Sequence, residues 1–337
     1  MTKLLLTMIG LAVVALSRGD GDQQFCAIGD LKLQSGSTIN DCKIGYRTFG
    51  KLGPKGDNAV LVPTWYLGTS ADLRGSFRPG GLVDSSKYFV IAVDALGNGV
   101  STSPSNSQTQ RDAAFPTITI RDMVESQHKM VLRLGITHLH AVMGISMGGF
   151  QTFQWITAFP NFVDKAIPIL GSPRPTSYDL MFYASSLKTV NEAINNKSAR
   201  ASLIRSFADF FWLALNTPAY YVEHTRREGA VESLRGFEAA LLAWDPYDMA
   251  SGLNALLNQD VFKPFGDSEA SAAKAVRAQV LVVAASQDHC VNPTAALSFA
   301  KALRAHTLVL TGDAGHSSPG AEMKRLGPTL SKFLSQP

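Results

Sequence analysis

Six short segments that are rich in apolar residues recur along this chain, and several of them are nearly all apolar. They comprise residues 59–64, 88–94, 138–143, 165–170, 279–284 and 306–310. A strand that is apolar along its whole length is buried on both faces, as it is in a parallel sheet covered by helices. The pattern therefore predicts an α/β fold with a mostly parallel sheet and helices on both faces. An antiparallel strand pair is predicted within residues 31–49, ahead of the first of these segments.

Helix signals separate several of these strands. Thr119, followed three residues later by Asp122, resembles a capping box at the start of an amphipathic helix. Asn292 followed by Pro293 combines a capping residue with a first-turn proline and predicts another helix that runs through Leu303.

The strand signal stops between residues 170 and 279, where the chain is helix-like and aromatic. We predict that residues 172–275 form a helical cap, inserted into a core of residues 26–171 and 276–335. Most aromatic side chains of such a cap pack on each other and on the sheet edge, and a minority line a ligand pocket. The aromatic residues noted are Phe207, Phe210, Phe211, Trp212, Tyr220, Tyr221 and Trp244.

Composition and charge exclude some classes of protein. With 45% hydrophobic and 17% charged residues, the 337-residue chain can bury a large core, which excludes disorder as its dominant state. The formal net charge is only +4, and no dense block of Lys and Arg is interleaved with aromatic residues. Nucleic acid is therefore not an expected partner.

The first residues resemble a secretory signal peptide. Lys3 precedes an apolar run over residues 4–16, and the small residues Ala15 and Ser17 suit a cleavage site. We predict a signal peptide over residues 1–17 and a secreted or periplasmic location. The run falls short of the roughly 20 apolar residues that a membrane span needs, so no stable span is expected. A buried N-terminal element and an uncleaved anchor are the alternatives.

The three cysteines indicate no metal site. Cys26 and Cys42 form a plausible disulfide in an exported protein, and two unconnected buried thiols are the alternative. Cys290 is left over, and no His or Cys cluster has zinc spacing. The segment Gly97–Gly99 lacks the third glycine and the following helix of a dinucleotide fingerprint. Neither a metal nor a cofactor is predicted.

The segment Gly144–Gly148, of sequence GISMG, places a serine between a predicted strand and a predicted helix. The flanking glycines permit the sharp turn that exposes a serine hydroxyl at the end of a strand. Ser146 is therefore a candidate nucleophile. It needs a histidine to accept its proton and a carboxylate to orient that histidine.

Both partners follow Ser146 in the chain, each just after a later predicted strand. Asp288 follows the strand at 279–284, and His316 follows the strand at 306–310 within a glycine-rich loop. Asp313 is the competing acid, and it is less suitable because it lies too near His316 to come from a separate strand end. The other histidines occupy strands, helices or the position beside the acid: His128, His138, His140, His224, His289 and His306.

An oxyanion hole needs two backbone N–H donors that point at the developing negative charge. Met147, directly after the candidate nucleophile, supplies one of them. The second is expected from the loop that follows residues 59–64, where we favour Tyr66 over its neighbour Trp65.

Beyond the GISMG segment, the chain resembles the homoserine O-acetyltransferase family of α/β-hydrolases. The resemblance spans residues 44–50 (IGYRTFG), 87–91 (KYFVI), 119–124 (TIRDMV) and 162–169 (FVDKAIPI), together with the loops that carry Asp288 and His316. It implies an α/β-hydrolase fold and an acyl-enzyme on Ser146, activated by His316 and Asp288. The chain departs from the family at Ile145, where the transferases have a glycine, and in the aromatic loop at residues 64–68.

Both candidate reactions use a small-molecule ester or thioester substrate. Hydrolysis is favoured because an exported enzyme would meet little acetyl-CoA. Transfer of acetyl from acetyl-CoA to homoserine or a related hydroxyl is the alternative. A binding module that lacks catalysis is the third interpretation, and an oligomer is compatible with the sequence.

Overall fold

A nine-stranded sheet forms the centre of the computed structural model, which describes residues 19–336. The strands are β1 (Gly19–Asp20), β2 (Gln24–Lys32), β3 (Thr38–Gly50), β4 (Ala59–Pro63), β5 (Phe89–Val93), β6 (Leu139–Ile145), β7 (Val163–Ile169), β8 (Gln279–Ala285) and β9 (His306–Leu310). Their order is β1-β3-β5-β4-β6-β7-β8-β9, with β2 paired to β3. Strands β4 to β9 run parallel, whereas β1, β2 and β5 pair antiparallel with β3. The predicted mostly parallel α/β sheet is confirmed, and the predicted signal peptide, residues 1–17, lies outside the described residues.

Both faces of the central strands are covered, which explains their apolar sequences. Every residue of β4 and β5 is buried. Leu61 packs in the cluster that includes Met123 of the first long helix, whereas its neighbours Val60 and Val62 pack with Leu330 near the C-terminus on the opposite face. Because successive side chains of a strand point to opposite faces, a strand buried on both sides has no polar alternation.

Two of the helices begin directly after the predicted capping residues. The helices are α1 (Ile120–Arg133), α2 (Met147–Ala158), α3 (Ser177–Asn195), α4 (Arg200–Leu215), α5 (Pro218–His224), α6 (Ala230–Leu242), α7 (Pro246–Leu257), α8 (Glu269–Ala275), α9 (Pro293–Leu303), α10 (Ser318–Ala321) and α11 (Met323–Ser335). Thr119 and Asp122 form the predicted capping box of α1. Asn292 caps α9, since its side chain accepts a hydrogen bond from the Thr294 N–H.

The chain between β7 and β8 is helical and forms an aromatic cluster. The rings of Phe182 and Phe211 stack with their centroids 5.7 Å apart, and Phe207 lies 5.4 Å from Phe211. Trp212 lies 4.8 Å from Phe237 across the α4 and α6 helices. The division into a core and a cap at residues 172–275 stays a prediction.

Within residues 19–336, no helix is long and apolar enough to cross a membrane.

The antiparallel pair β2 and β3 confirms the expectation for residues 31–49 and shows that the first strand of the pair begins earlier, at Gln24. Its register separates two cysteines, because Cys26 lies opposite Ile44 and Cys42 lies opposite Gly29. Both thiols are free, so the disulfide alternative is wrong in this structure. Burial raises the pKa of the Cys42 thiol to about 12 and keeps it protonated.

Candidate active site

Ser146 lies in the tight turn between β6 and α2, with backbone angles of φ +57° and ψ −124°. A positive φ is strained for a residue with a side chain, and such strain is common where a nucleophile is presented at a strand end. The turn is held in place because the Ser146 N–H donates to the carbonyl of Ile169, 2.9 Å away on the neighbouring strand. The sequence-predicted serine therefore occupies the expected strand-to-helix turn.

The flanking glycines are required by the close approach of backbone to backbone. A Cβ atom added to Gly144 would lie 2.6 Å from the carbonyl oxygen of Gly148. A Cβ atom added to Gly148 would lie 2.5 Å from the carbonyl oxygen of Pro63, at the end of β4. Any side chain at either position would displace the turn that carries Ser146.

His316 lies beside Ser146, in a short 3-10 turn that follows β9. Its Nε2 atom is 2.9 Å from Ser146 Oγ, within hydrogen-bond distance. The imidazole is 11% exposed, so one side of it remains open to the cavity described below. The arrangement allows His316 to accept the serine proton.

Asp288 completes the contact from the far side of the imidazole. Its Oδ2 atom lies 2.7 Å from His316 Nδ1, and its side chain is 1% exposed. Its Oδ1 atom accepts hydrogen bonds from the backbone N–H groups of Cys290 and Val291. The competing acid, Asp313, instead uses its main-chain carbonyl to accept from Thr217.

Of the two residues predicted as oxyanion donors, Met147 is next to Ser146 in the chain and Tyr66 is in the cavity lining. Met147 is the first residue of α2, and the first N–H groups of a helix have no partner within the helix. Tyr66 follows β4 and is 8% exposed. Its hydroxyl donates to the Met249 carbonyl at 3.2 Å, which ties the loop to α7. The assignment of Met147 and Tyr66 as oxyanion donors stays a prediction, as does the choice of Tyr66 over Trp65.

A cavity of about 670 Å³ opens onto Ser146 and His316. Most of its lining is aromatic or aliphatic. It is lined by Trp65, Tyr66, Leu67, Asp72, Ile145, Ser146, Phe211, Leu215, Phe237, Ala240, Leu241, Trp244, His316, Ser317, Pro319 and Gly320. No lysine or arginine of the described chain belongs to this lining, and Asp72 is its one acidic residue.

The cavity includes residues that the sequence does not mark. The expectation that some aromatic residues of the helical segment line a pocket holds for Phe211 and Trp244. Phe237 and Leu241 come from α6, and Asp72 comes from the loop after Tyr66. These residues carry no sequence signal because they reach the cavity through packing of segments that are distant in the chain.

One grouping of possible metal ligands occurs in residues 19–336, and it overlaps the site. Atoms of Asp288, Cys290 and His316 lie within 4.8 Å of one another. Burial raises the pKa of the Cys290 thiol well above its usual range, with Asp288 and Asp179 adding to the effect. A protonated thiol is a poor metal ligand, and both Asp288 oxygens already accept hydrogen bonds.

A second buried carboxylate lies behind the loop of Tyr66. Asp248 of α7 accepts hydrogen bonds from the N–H and the hydroxyl of Ser105, at 3.0 and 2.5 Å. It is 3% exposed. The pKa of Asp248 is raised to about 6, chiefly by burial; the Ser105 hydrogen bonds oppose this rise, and the nearby Asp245 and Asp112 add to it.

The chain is similar in sequence to alpha/beta hydrolases, including esterases. A sequence profile for the alpha/beta hydrolase fold matches residues 74–319. A probable esterase of Corynebacterium glutamicum is 34% identical over 287 residues, which cover 80% of this chain and 81% of that protein. The ethyl acetate hydrolase of Pseudomonas veronii is 29% identical over 283 residues, again covering 80% of this chain and 81% of that protein.

The chain is also similar to a solved esterase structure and, over part of its length, to a homoserine O-acetyltransferase. An acetylester hydrolase from Corynebacterium glutamicum superimposes with a TM-score of 0.87 and 25% identity, over 94% of this chain and 96% of that one. The homoserine O-acetyltransferase of Geotalea daltonii is 38% identical over 167 residues, or 44% of this chain and 45% of that protein. The predicted resemblance to homoserine O-acetyltransferases is confirmed, and these esterases match over a larger share of the chain.

Proposed function

This chain belongs to the alpha/beta hydrolase fold family, and we propose that it hydrolyses small acyl esters that carry no negative charge, through a covalent acyl-enzyme on Ser146. The observation that carries the proposal is the hydrogen-bonded series from Asp288 through His316 to Ser146 in the wall of an apolar cavity. The names of the esterase relatives support the choice of substrate class.

In the acylation step, Ser146 Oγ attacks the carbonyl carbon of the ester while its proton passes to His316 Nε2, which lies 2.9 Å away. The imidazole becomes a cation, and its Nδ1–H donates to Asp288 Oδ2 at 2.7 Å. The buried carboxylate stabilises this cation and holds the ring in the orientation that serves Ser146. The π electrons of the carbonyl bond move to its oxygen, which becomes an oxyanion.

The backbone N–H groups of Met147 and Tyr66 hold that oxyanion in the proposed mechanism. A donor of this kind is worth about 10²–10³ in kcat. The tetrahedral intermediate then collapses, the bond from the acyl carbon to the alcohol oxygen breaks, and His316 Nε2 gives its proton to the departing alcohol. The acyl group remains on Ser146 Oγ.

Water completes the cycle in the same geometry. His316 removes a proton from a water molecule, the resulting hydroxide attacks the acyl carbon, and the Ser146 Oγ recovers its proton when the carboxylic acid leaves. The cavity of about 670 Å³ has room for a small ester beside the two side chains.

The charge of the cavity favours water over homoserine as the acceptor. Homoserine carries a carboxylate, and acetyl-CoA carries phosphates, so both are bound best by lysine, arginine or clustered N–H donors. The described cavity lining contains no lysine or arginine for the homoserine carboxylate, and its Asp72 carboxylate would repel the phosphates of acetyl-CoA. The partial likeness to a homoserine O-acetyltransferase keeps acetyl transfer as the second candidate.

A two-substrate assay separates these candidates. We expect purified protein to cleave p-nitrophenyl acetate and ethyl acetate and to form no O-acetylhomoserine above background. Faster turnover of acetyl-CoA with homoserine than of the esters would reject hydrolysis as the main reaction. Failure of a fluorophosphonate probe to label folded protein, with Ser146→Ala as the unlabelled reference, would favour a binding module instead.

We also propose a secreted or periplasmic location, because residues 1–17 have the composition of a signal peptide. Such a compartment holds little acetyl-CoA, which agrees with water as the acceptor. Mass spectrometry of the mature N-terminus tests this proposal. A mature protein that retains Met1 would contradict cleavage.

A further inference from the structure

The segment that joins α4 to α5 lies against the loop that carries His316. The Asn216 side-chain Nδ2 donates to the carbonyl of Ala314 at 2.8 Å. The Thr217 hydroxyl donates to the carbonyl of Asp313 at 2.6 Å. Asn216 and Thr217 are 6% and 3% exposed, so both residues are buried at this contact. The two carbonyls that precede Gly315 and His316 are therefore held by side chains from the helical segment.

The backbone packing at this contact is equally close. Gly315 has a φ of +57°, and a Cβ atom added there would lie 3.0 Å from the Leu215 carbonyl and 3.2 Å from the Asn216 Cα. On its other side it would lie 3.3 Å from the carbonyl of Gln287, next to Asp288. The loop of His316 is thus confined between the end of α4 and the loop of the candidate acid.

The helical segment also contacts the other two loops of the site. The Tyr183 hydroxyl of α3 donates to the Cys290 carbonyl at 3.0 Å, two residues beyond Asp288. On the remaining side, the Met249 carbonyl of α7 accepts from the Tyr66 hydroxyl. The contact to the His316 loop differs from these two because it restrains the backbone directly before the base.

We propose that Asn216 and Thr217 are positioning residues, which hold His316 within hydrogen-bond distance of both Ser146 and Asp288; this inference rests on the proposed function. Rates of proton transfer fall steeply when donor and acceptor are displaced by a fraction of an ångström. His316 lies two residues after Ala314 in the chain, so a shift of the Ala314 carbonyl also displaces the His316 imidazole. The helical segment therefore contributes to catalysis through the base as well as covering the cavity.

Three variants test the proposal. Thr217→Val keeps the side-chain shape and removes the hydroxyl donor, and Thr217→Ser retains that donor. Thr217 also caps α5 by accepting from the Tyr220 N–H, so Asn216→Ala provides a second variant that leaves this cap intact. The matched control is Thr189→Val, because the Thr189 hydroxyl is exposed and donates to the Ser185 carbonyl within α3.

We expect kcat for p-nitrophenyl acetate to fall about tenfold in Thr217→Val and in Asn216→Ala, with KM little changed. Thr217→Ser and Thr189→Val should keep the wild-type kcat. The low-field proton resonance of the His316 Nδ1–H, bonded to Asp288, should broaden or shift in the first two variants only. A merely structural role would lower the melting temperature without this split between kcat and KM.

The inference is overturned if both Thr217→Val and Asn216→Ala keep kcat within about twofold of wild type and leave the low-field resonance unchanged. If the wild-type protein cleaves no ester, the proposed function fails, and the resonance alone then decides whether Asn216 and Thr217 position His316. The two failures are therefore distinguishable.

Discussion

The Asp288 carboxylate contacts His316 through one oxygen and two backbone N–H groups through the other. Oδ2 lies 2.7 Å from His316 Nδ1, while Oδ1 accepts from Cys290 and Val291 at 2.8 and 2.9 Å. Because both oxygens are engaged and the side chain is 1% exposed, the carboxylate cannot rotate without losing buried hydrogen bonds. The imidazole is therefore held with Nε2 towards Ser146.

Replacing Asp288 with asparagine should lower kcat for short esters about 10³- to 10⁴-fold. An amide at this position either presents a donor to His316 Nδ1 or loses an acceptor for the Cys290 and Val291 N–H groups. In the first case the imidazole adopts the tautomer that cannot accept the Ser146 proton. Steady-state kinetics with p-nitrophenyl acetate measures the loss, and circular dichroism checks that the variant is folded.

The matched control is Asp313→Asn, since Asp313 is the acid nearest His316 in sequence. Its main-chain carbonyl, which the substitution keeps, accepts the hydrogen bond from Thr217. We expect nearly wild-type kcat. A loss as large as that of Asp288→Asn would show that the acid has been assigned to the wrong aspartate.

Gly252 of α7 packs against the Tyr66 ring and should be sensitive to a single methyl group. A Cβ atom there would lie 2.8 Å from Cδ2 and Cε2 of that ring, so Gly252→Ala must displace the Tyr66 ring, and we expect the backbone N–H of Tyr66 to shift with it. We expect kcat to fall at least about tenfold, because one oxyanion donor is worth about 10²–10³. Gly236 of α6 has open space around it, and Gly236→Ala should stay fully active. Equal activities of the two variants would contradict the role of Tyr66.

Much of the fold and the core of the candidate site follow from local sequence patterns. Strands buried on both faces need continuous apolar residues, and the turn at Ser146 needs its glycines, so both features are visible in the sequence. The positions of Asp288 and His316, each just after a predicted strand, are also informative. Parallel strands place their carboxyl ends at one edge of a sheet, so residues that follow these strands lie close together.

Other features depend on contacts between segments that are distant in sequence. The register of β2 and β3 decides that Cys26 and Cys42 are not opposite each other, and no spacing rule fixes that register. Likewise, Phe237 reaches the cavity only because α6 packs beside α4. Such contacts arise from packing of the whole chain, so single-sequence patterns do not specify them.

Asp248 should make the free energy of unfolding depend on pH. Burial raises its pKa from the ordinary 3.8 to about 6 in the folded protein, so the folded state binds the proton more tightly than the unfolded state. Its contribution to stability is therefore complete below about pH 4 and is lost as the pH rises through about 6. The free energy of unfolding of Asp248→Asn, relative to that of wild type, should therefore increase by about 2 kcal/mol between pH 4.5 and pH 7.5.

Urea unfolding of both proteins at these two pH values measures the difference. The matched control is Gly236→Ala, which changes no titratable group, and its free energy of unfolding relative to wild type should be the same at both pH values. If Asp248→Asn and wild type differed in free energy of unfolding by the same amount at both pH values, the pKa of Asp248 would not be raised in the folded protein.

Asp72 should make the cavity prefer cationic over neutral alcohol groups. Its Oδ2 accepts from the N–H and hydroxyl of Thr69, and within residues 19–336 it pairs with no cation. Asp72 lines the cavity together with Trp65 and Trp244. Aromatic faces and a carboxylate both attract a quaternary ammonium group. The relevant quantity is the ratio of kcat/KM for the acetate ester of a quaternary ammonium alcohol to kcat/KM for its neutral carbon isostere. We expect Asp72→Asn to lower this ratio about threefold, and by a smaller factor at high salt. Asp57→Asn, outside the cavity, should leave the ratio unchanged, and an unchanged ratio in Asp72→Asn would mean that Asp72 does not select the substrate's charge.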